Sequence, residues 1–155
     1  MGAKTREIDK YKLWHSGGTK VRNGVGILVD KELVDQVVEV RHKSDNIMLI
    51  KLVVGVEILN VICIYVPQIG LADDIKWEFW EALEKVMQSL PQSEKLFLGA
   101  YFNGPIRTKA YGYDMTCGGF GYSERNNDGV SILNFVIAYD SRLLTSILRR
   151  RRTTS

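Results

Sequence analysis

The chain has 155 residues, of which 45% are hydrophobic and 25% charged, as in an ordinary globular protein. This length suits one domain with its own core, and the composition excludes wholesale disorder. The formal charge is +3, yet four cationic residues stand together at Arg149 to Arg152. Between Ser44 and Ser141 there are seven Lys and Arg against twelve Asp and Glu. A basic face across the body, typical of nucleic-acid binders, is therefore not expected.

The compartment is predicted from what the sequence lacks. The N-terminal residues form no apolar leader, and the longest apolar stretch, Ile47 to Val66, is interrupted by Lys51 and Glu57. Cys63 and Cys117 are far apart and show neither metal-ligand nor redox spacing. We expect an intracellular protein, cytoplasmic or nuclear, that does not enter a membrane.

Several strands are predicted in the first half of the chain. Residues 1–12 are charged and form a frayed end or a short strand, and Asn23-Gly24 predicts a tight turn. Two apolar runs separated by Gly55-Val56-Glu57 predict a β-hairpin. Its second strand has little polar face and is predicted to lie centrally in its sheet. The predicted strands are Val25 to Val29, Val37 to Val40, Ile47 to Val54 and Ile58 to Val66.

A helix is predicted to begin at Asp73 and Asp74, whose acidic side chains suit a helix N-terminus, and to close at Leu90-Pro91. Its apolar residues recur at helical spacing and predict a stripe that packs against a sheet. That stripe comprises Trp77, Trp80 or Phe79, Leu83 and Met87.

The second half contains a short buried strand at Lys95 to Leu98 and then a long loop rich in Gly and Tyr at Gly104 to Asp128. A second helix is predicted over Val130 to Tyr139, capped by Asn127 or Asp128, and a last strand at Leu143 to Leu148. This order favours a mixed sheet with helices packed on it.

Some motifs carry no chemistry. Gly24-Val25-Gly26 lacks the third glycine of a dinucleotide loop and precedes a strand, so it is interpreted as a turn. His15 and His42 are isolated, and the sequence gives neither of them a carboxylate partner. We assign no catalytic role to either.

The segment Leu96 to Asn103 resembles the Gly-Asp-Phe-Asn strand end of the endonuclease/exonuclease/phosphatase superfamily. Tyr65-Val66-Pro67-Gln68 is similar to that family's Tyr-x-Pro-Asn/Gln strand end. Gly24 to Val29 is similar to its Gly-x-Gly-Ile strand, and Gly121 to Gly129 to its loop-to-helix segment. The four motifs occur in order between Ala3 and about Tyr139. Within the superfamily, the chain resembles craniofacial development protein 2-like proteins and LINE retrotransposon endonucleases of plants.

The resemblance implies an α/β fold of the α+β type, a partial two-sheet sandwich with about two helices on a mixed sheet. The domain is expected to span residues 1–148 and to be truncated relative to the family, with an Arg-rich, solvated tail at 149–155. Its exposed apolar sheet face would favour self-association or a protein partner.

The family is implied to cleave phosphodiesters with a divalent metal, usually magnesium. By resemblance, Asn103 would contact the scissile phosphate, Tyr65 would support it, and Asn126 would touch substrate. Tyr101 stands where the family has its Asp, and a phenol, uncharged at pH 7, is a poor base and a poor ligand for a hard cation. The family's metal-binding Glu and its C-terminal Asp and His are expected outside this chain. No metal ligand and no cofactor is therefore predicted, with Mg²⁺ needed only if activity is retained.

Three functions stay open. The favoured one is a catalytically impaired, retrotransposon-derived nuclease-like domain that acts as a protein-interaction or regulatory factor, a toxic one included. The second is a residual phosphodiesterase completed by an oligomer or a partner. The third is a nucleic-acid binder that acts weakly through Arg149, Arg150, Arg151 and Arg152. A nuclear signal and a solvated tail are the other interpretations of that cluster, which also includes Arg142.

Overall fold

A computed structural model of the protein describes residues 3–16, 24–67 and 71–102 and the backbone of 143–149. These residues form a mixed α+β fold with two β-sheets and two helices. The strands are β1 (Lys4–Ile8), β2 (Tyr11–His15), β3 (Gly26–Asp30), β4 (Val37–Ser44), β5 (Ile47–Val54), β6 (Glu57–Val66), β7 (Lys95–Phe102) and β8 (Leu143–Arg149). The helices are α1 (Lys31–Val34) and α2 (Asp73–Gln88).

The larger sheet is mixed, as predicted, with five described strands in the order β4-β5-β6-β7-β8. Strands β4, β5 and β6 are antiparallel neighbours, whereas β6, β7 and β8 run parallel. The central position predicted for the strand that ends at Val66 is confirmed, because β6 is the middle strand of the five. A parallel pair needs a crossover connection, and α2 lies between β6 and β7 in the chain.

The position of β5 in the sheet explains why its sequence is apolar without interruption from Ile47 to Ile50. Successive side chains point to opposite faces of a sheet. Ile47 and Leu49 pack in the cluster that contains α2, whereas Met48 and Ile50 pack in the cluster beneath the smaller sheet. All four side chains are at most 1% exposed. The strand is therefore buried on both faces, and each such side chain contributes about 1.5–3 kcal/mol.

The hairpin predicted between β5 and β6 is confirmed. Val54 pairs with Glu57, so the turn consists of Gly55 and Val56. Gly55 has φ of 62°, and Val56 keeps a negative φ. This combination matches a type II′ turn, which places glycine at its first central position.

The N-terminal region is more regular than predicted. Of the two alternatives for this end, a frayed segment or a short strand, the structure shows the strand β1, which pairs with a second strand, β2, that was not predicted. Asp9 adopts φ of 52° in the turn between them, a conformation that Asp tolerates better than most residues. Strand β3 pairs with the other side of β2 and completes a three-stranded antiparallel sheet.

The predicted apolar stripe of α2 is wrong at one residue, Trp77. Trp77 is 75% exposed, whereas Phe79, Leu83, Val86 and Met87 are the buried residues of the helix. Trp77 lies six positions before Leu83, which rotates it about 120° away from the buried face. Phe79 lies four positions before Leu83 and takes the place on the core side.

Other element ends differ by a few residues. The predicted strands ending at Val40 and Leu98 continue to Ser44 and Phe102, because β5 and β6 extend alongside them and supply backbone partners. The predicted helix 130–139 and the predicted loop 104–128 lie outside the described residues. Within the described part of the chain, no helix combines the length and the apolar character needed to cross a membrane.

Candidate functional site

Two tyrosines meet where the parallel strands β6 and β7 end. Tyr65 and Tyr101 are direct neighbours in the register of these strands. Their ring centroids are 5.2 Å apart and the ring planes differ by 21°, so the rings are stacked. This separation is close to the spacing of adjacent strands, and offset stacking is a favourable geometry for aromatic pairs. The two strand ends selected from the sequence motifs thus lie side by side, and we call Tyr65 and Tyr101 together the tyrosine pair.

The tyrosine pair lies on the face of the large sheet that is turned toward the smaller one. Tyr65 packs against a cluster that contains Trp14, Met48 and Ile50. Both tyrosines are half-buried. Alternation places Tyr101 on the face opposite to Leu98 and Ala100, which pack in the α2 cluster. The site therefore has an apolar base and an open side.

A serine that sequence reasoning left without a role positions this end of the molecule. The Ser16 side chain is 8% exposed, and its hydroxyl accepts a hydrogen bond from the Val25 N–H at 2.9 Å. The same hydroxyl donates to the Asp45 carbonyl at 2.8 Å. The next carbonyl, that of Asn46, accepts from the Tyr65 N–H at 2.9 Å. Ser16 thus connects the smaller sheet to the turn that holds Tyr65.

The glycines of the Gly-x-Gly motif have a packing reason. A Cβ at Gly24 would lie 3.0 Å from the Ser16 carbonyl oxygen, and one at Gly26 would lie 3.1 Å from Cδ1 of Leu13. The interpretation as a turn before a strand is consistent with this geometry. These glycines allow the chain to pass close to β2.

Cys63 lies on the same face as Tyr65, beneath the start of β3. Burial raises the pKa of the Cys63 thiol, and a hydrogen bond with the Gly26 backbone acts in the opposite direction. A thiol with a raised pKa is a weak nucleophile at neutral pH. Cys63 is free in the structure, whereas Cys117 lies outside the described residues.

His42 has a carboxylate neighbour that sequence reasoning missed. Its Nε2 lies 3.7 Å from Oδ1 of Asp45, three positions along the chain. The spacing of three residues was visible in the sequence. It predicts that the two side chains are close only once β4 is known to end in a turn there. His15 pairs in register with Gly26 at the end of β2.

The described part of this site does not fit a magnesium ion. Tyr65 and Tyr101 supply neutral hydroxyls, whereas Mg²⁺ is held chiefly by carboxylates. Across the described ranges, no three His, Cys, Asp or Glu side chains come together as a metal-binding group. Asn103, Asn126, Arg150, Arg151 and Arg152 lie outside the described residues. Arg149, predicted to begin a solvated tail, is the last residue of β8 and pairs with Phe102.

A polar network occupies the opposite end of the large sheet. Asn60 is fully buried and donates from Nδ2 to Glu94 at 2.7 Å. Lys51 forms an ion pair with the same carboxylate at 2.9 Å. The hydrogen bond from Asn60 is the main reason that the pKa of Glu94 is lowered, and Lys51 acts in the same direction. The network joins β5 and β6 to the segment that enters β7, far from the tyrosine pair.

Comparisons with known proteins do not identify a relative: no family model, no curated protein and no solved structure matches the chain.

Proposed function

We propose that the chain is a catalytically impaired domain on an endonuclease/exonuclease/phosphatase-like scaffold, which acts by binding a partner. The observation that supports this function is the tyrosine pair. Parallel strands β6 and β7 end side by side, which brings together two strand ends that resemble the family's, and a phenol occupies the position at which the family is implied to carry its Asp.

The chemistry of this replacement supports impairment. Losing one positioned general base lowers a rate by about 10²–10⁴-fold. The Tyr101 ring is also stacked on Tyr65, so its hydroxyl is carried on a rigid aromatic pair. Tyr101 therefore acts as a packing residue of the site, and Tyr65 as its support.

The test is a cleavage assay on the purified full chain with Mg²⁺, using supercoiled plasmid and labelled single-stranded and duplex oligonucleotides. We expect no cleavage above the level seen with EDTA. The variants Tyr101→Phe, which keeps the stack, and Tyr101→Asp, which restores the family residue, should both stay at that level. Thermal melts of the three proteins show whether each variant is folded.

Two results would overturn the proposal. One is Mg²⁺-dependent cleavage by the unmodified chain that is lost in Asn103→Ala. The other is a gain of cleavage in Tyr101→Asp but not in Tyr101→Phe, which would favour a phosphodiesterase with a single lesion.

A further inference from the structure

An open groove lies along the edge of the large sheet, between β4 and the C-terminal half of α2. Its volume is about 430 Å³, within the range of about 300–1,000 Å³ found for ligand sites. Buried apolar side chains form its base, and cationic side chains line its walls. The base consists of Ile47, Leu49 and Val86, and the walls carry Arg41, Lys43 and Lys85. We call this feature the edge groove.

The Arg41 guanidinium is held in place at the groove wall. Its Nε and Nη2 donate to the Glu39 carboxylate, and its Nη1 donates to the Ser89 hydroxyl at 2.9 Å. These bonds use three of the five guanidinium N–H groups. A cation fixed by its neighbours loses less conformational entropy when a ligand binds than a free side chain does.

The wall has an excess of positive charge. Glu39 compensates Arg41, and Glu81 compensates Lys85 at 2.8 Å. Lys43 is exposed and forms no ion pair with the other described residues. A carboxylate placed at the groove would therefore meet an unneutralised ammonium group beside a fixed guanidinium.

The backbone of the groove wall is itself a binding surface. Three consecutive residues of β4, Arg41 to Lys43, line the groove, and β4 is an outer strand of the large sheet in its described strand order. Between two register irregularities, residues Glu39 to His42 pair regularly with β5. An outer strand presents a row of N–H and C=O groups to which an extended peptide can add.

We propose that the edge groove binds an extended acidic peptide of a partner protein, added as a short strand beside β4. Alternate side chains of such a peptide point toward α2. An apolar side chain on that face would fill the groove over Leu49, which pairs with Arg41, and an acidic residue two positions along would meet Lys43. An acidic residue on each side of the apolar one lets one of them reach Lys43 in either strand direction. The cations favour an acidic strand over an uncharged or basic one, so charge selects the partner. The inference rests on the proposed function, because a chain that acts through partners needs a surface that binds them.

The test uses the full chain and a blocked heptapeptide of sequence Thr-Glu-Thr-Val-Thr-Glu-Thr, with binding measured by calorimetry and mapped by amide NMR shifts. Its control replaces both Glu with Lys, and a second control replaces the two Thr beside Val with Pro, which removes backbone donors. We expect shifts in residues 39–43 and 85–89 and affinities at least about tenfold lower for both controls.

Matched variants separate this groove from general electrostatics. Lys43→Glu should weaken binding by about fivefold or more, whereas Lys4→Glu, the same charge change on exposed β1, should leave it unchanged. Equal affinity for the lysine peptide, equal effects of the two variants, or shifts confined to other surfaces would overturn the inference. So would an oligothymidylate that displaces the peptide and binds more tightly. Failure here leaves the cleavage assay unaffected, so the two proposals fail separately.

Discussion

Ser16 shows how one side chain joins distant parts of this fold. Its hydroxyl satisfies a backbone N–H at Val25 and a carbonyl at Asp45, so it bonds to positions 9 and 29 residues away. In its absence the Val25 N–H would lose a buried hydrogen bond and the Asp45 carbonyl a partly buried one. An unsatisfied buried polar group costs about 1–3 kcal/mol.

We therefore expect Ser16→Ala to lower the free energy of unfolding by about 2 kcal/mol, as measured by urea denaturation. Ser44→Ala is the control, because the Ser44 hydroxyl accepts an exposed bond from Asn46 at 3.3 Å. Its effect should stay within about 0.5 kcal/mol. Equal losses in the two variants would contradict the bridging role of Ser16.

Glu94 couples stability to pH. Its pKa is lowered in the folded protein, mainly by the hydrogen bond from Asn60. The folded state thus binds fewer protons than the unfolded state near the ordinary glutamate value. The contribution of ionised Glu94 to the stability of the folded state is therefore complete above the ordinary pKa of 4.5 and is lost as the pH falls through the lower folded pKa.

Glu94→Gln should therefore destabilise the protein at pH 7 and flatten the fall in stability below about pH 4.5. The measurement is urea denaturation from pH 7 down to pH 3. Glu78→Gln, on the exposed side of α2, serves as the control and should keep the slope of the parent. A parent-like slope in Glu94→Gln would show that other carboxylates carry the acid sensitivity.

At the scale of elements, α2 separates a buried aromatic residue, Phe79, from an exposed one, Trp77. Phe79 is 6% exposed and meets Trp80 edge to face at 5.1 Å, whereas Trp77 is 75% exposed. We expect Phe79→Ala to cost about 3–5 kcal/mol and Trp77→Ala to stay within about 0.5 kcal/mol. Chemical denaturation of both variants gives the comparison. A larger loss in Trp77→Ala would mean that the helix is rotated from the described register.

The hairpin of β5 and β6 was predictable because two local signals agree, an uninterrupted apolar run and a glycine at the turn. The face of α2 was only partly predictable, since three aromatic residues within four positions each satisfy part of a helical stripe. Strand β2 was missed because Lys12 and His15 dilute its apolar pattern. Local sequence does not show that β1 and β3 flank it.

The site was predictable to a similar extent. Motif resemblance selected Tyr65 and Tyr101, and the parallel register brings them together. The roles of Ser16 and Asn60 depend on partners far along the chain, at Asp45 and Glu94, and no spacing rule identifies such pairs. The edge groove likewise requires knowing which of the described strands is outermost.

At the scale of the whole molecule, the large sheet separates two apolar clusters. One contains α2 and the other lies beneath the smaller sheet, and alternate residues of β5 belong to each. The smaller sheet covers only part of the facing side of the large sheet, since Tyr65 and Tyr101 of the large sheet stay half-buried. A loss of packing in β5 would therefore weaken both clusters at once.

Cys63, which lies beneath β3, can report how often the two sheets separate. The Cys63 thiol is partly buried and hydrogen-bonds with the Gly26 backbone, so lifting of β3 would expose it further to alkylation. Trp14→Ala, which opens the cluster beneath the smaller sheet, should accelerate labelling of Cys63 by iodoacetamide more than Phe79→Ala does at matched global stability. Peptide mass spectrometry resolves Cys63 from Cys117. Equal rates would mean that opening of this cluster does not limit the labelling of Cys63.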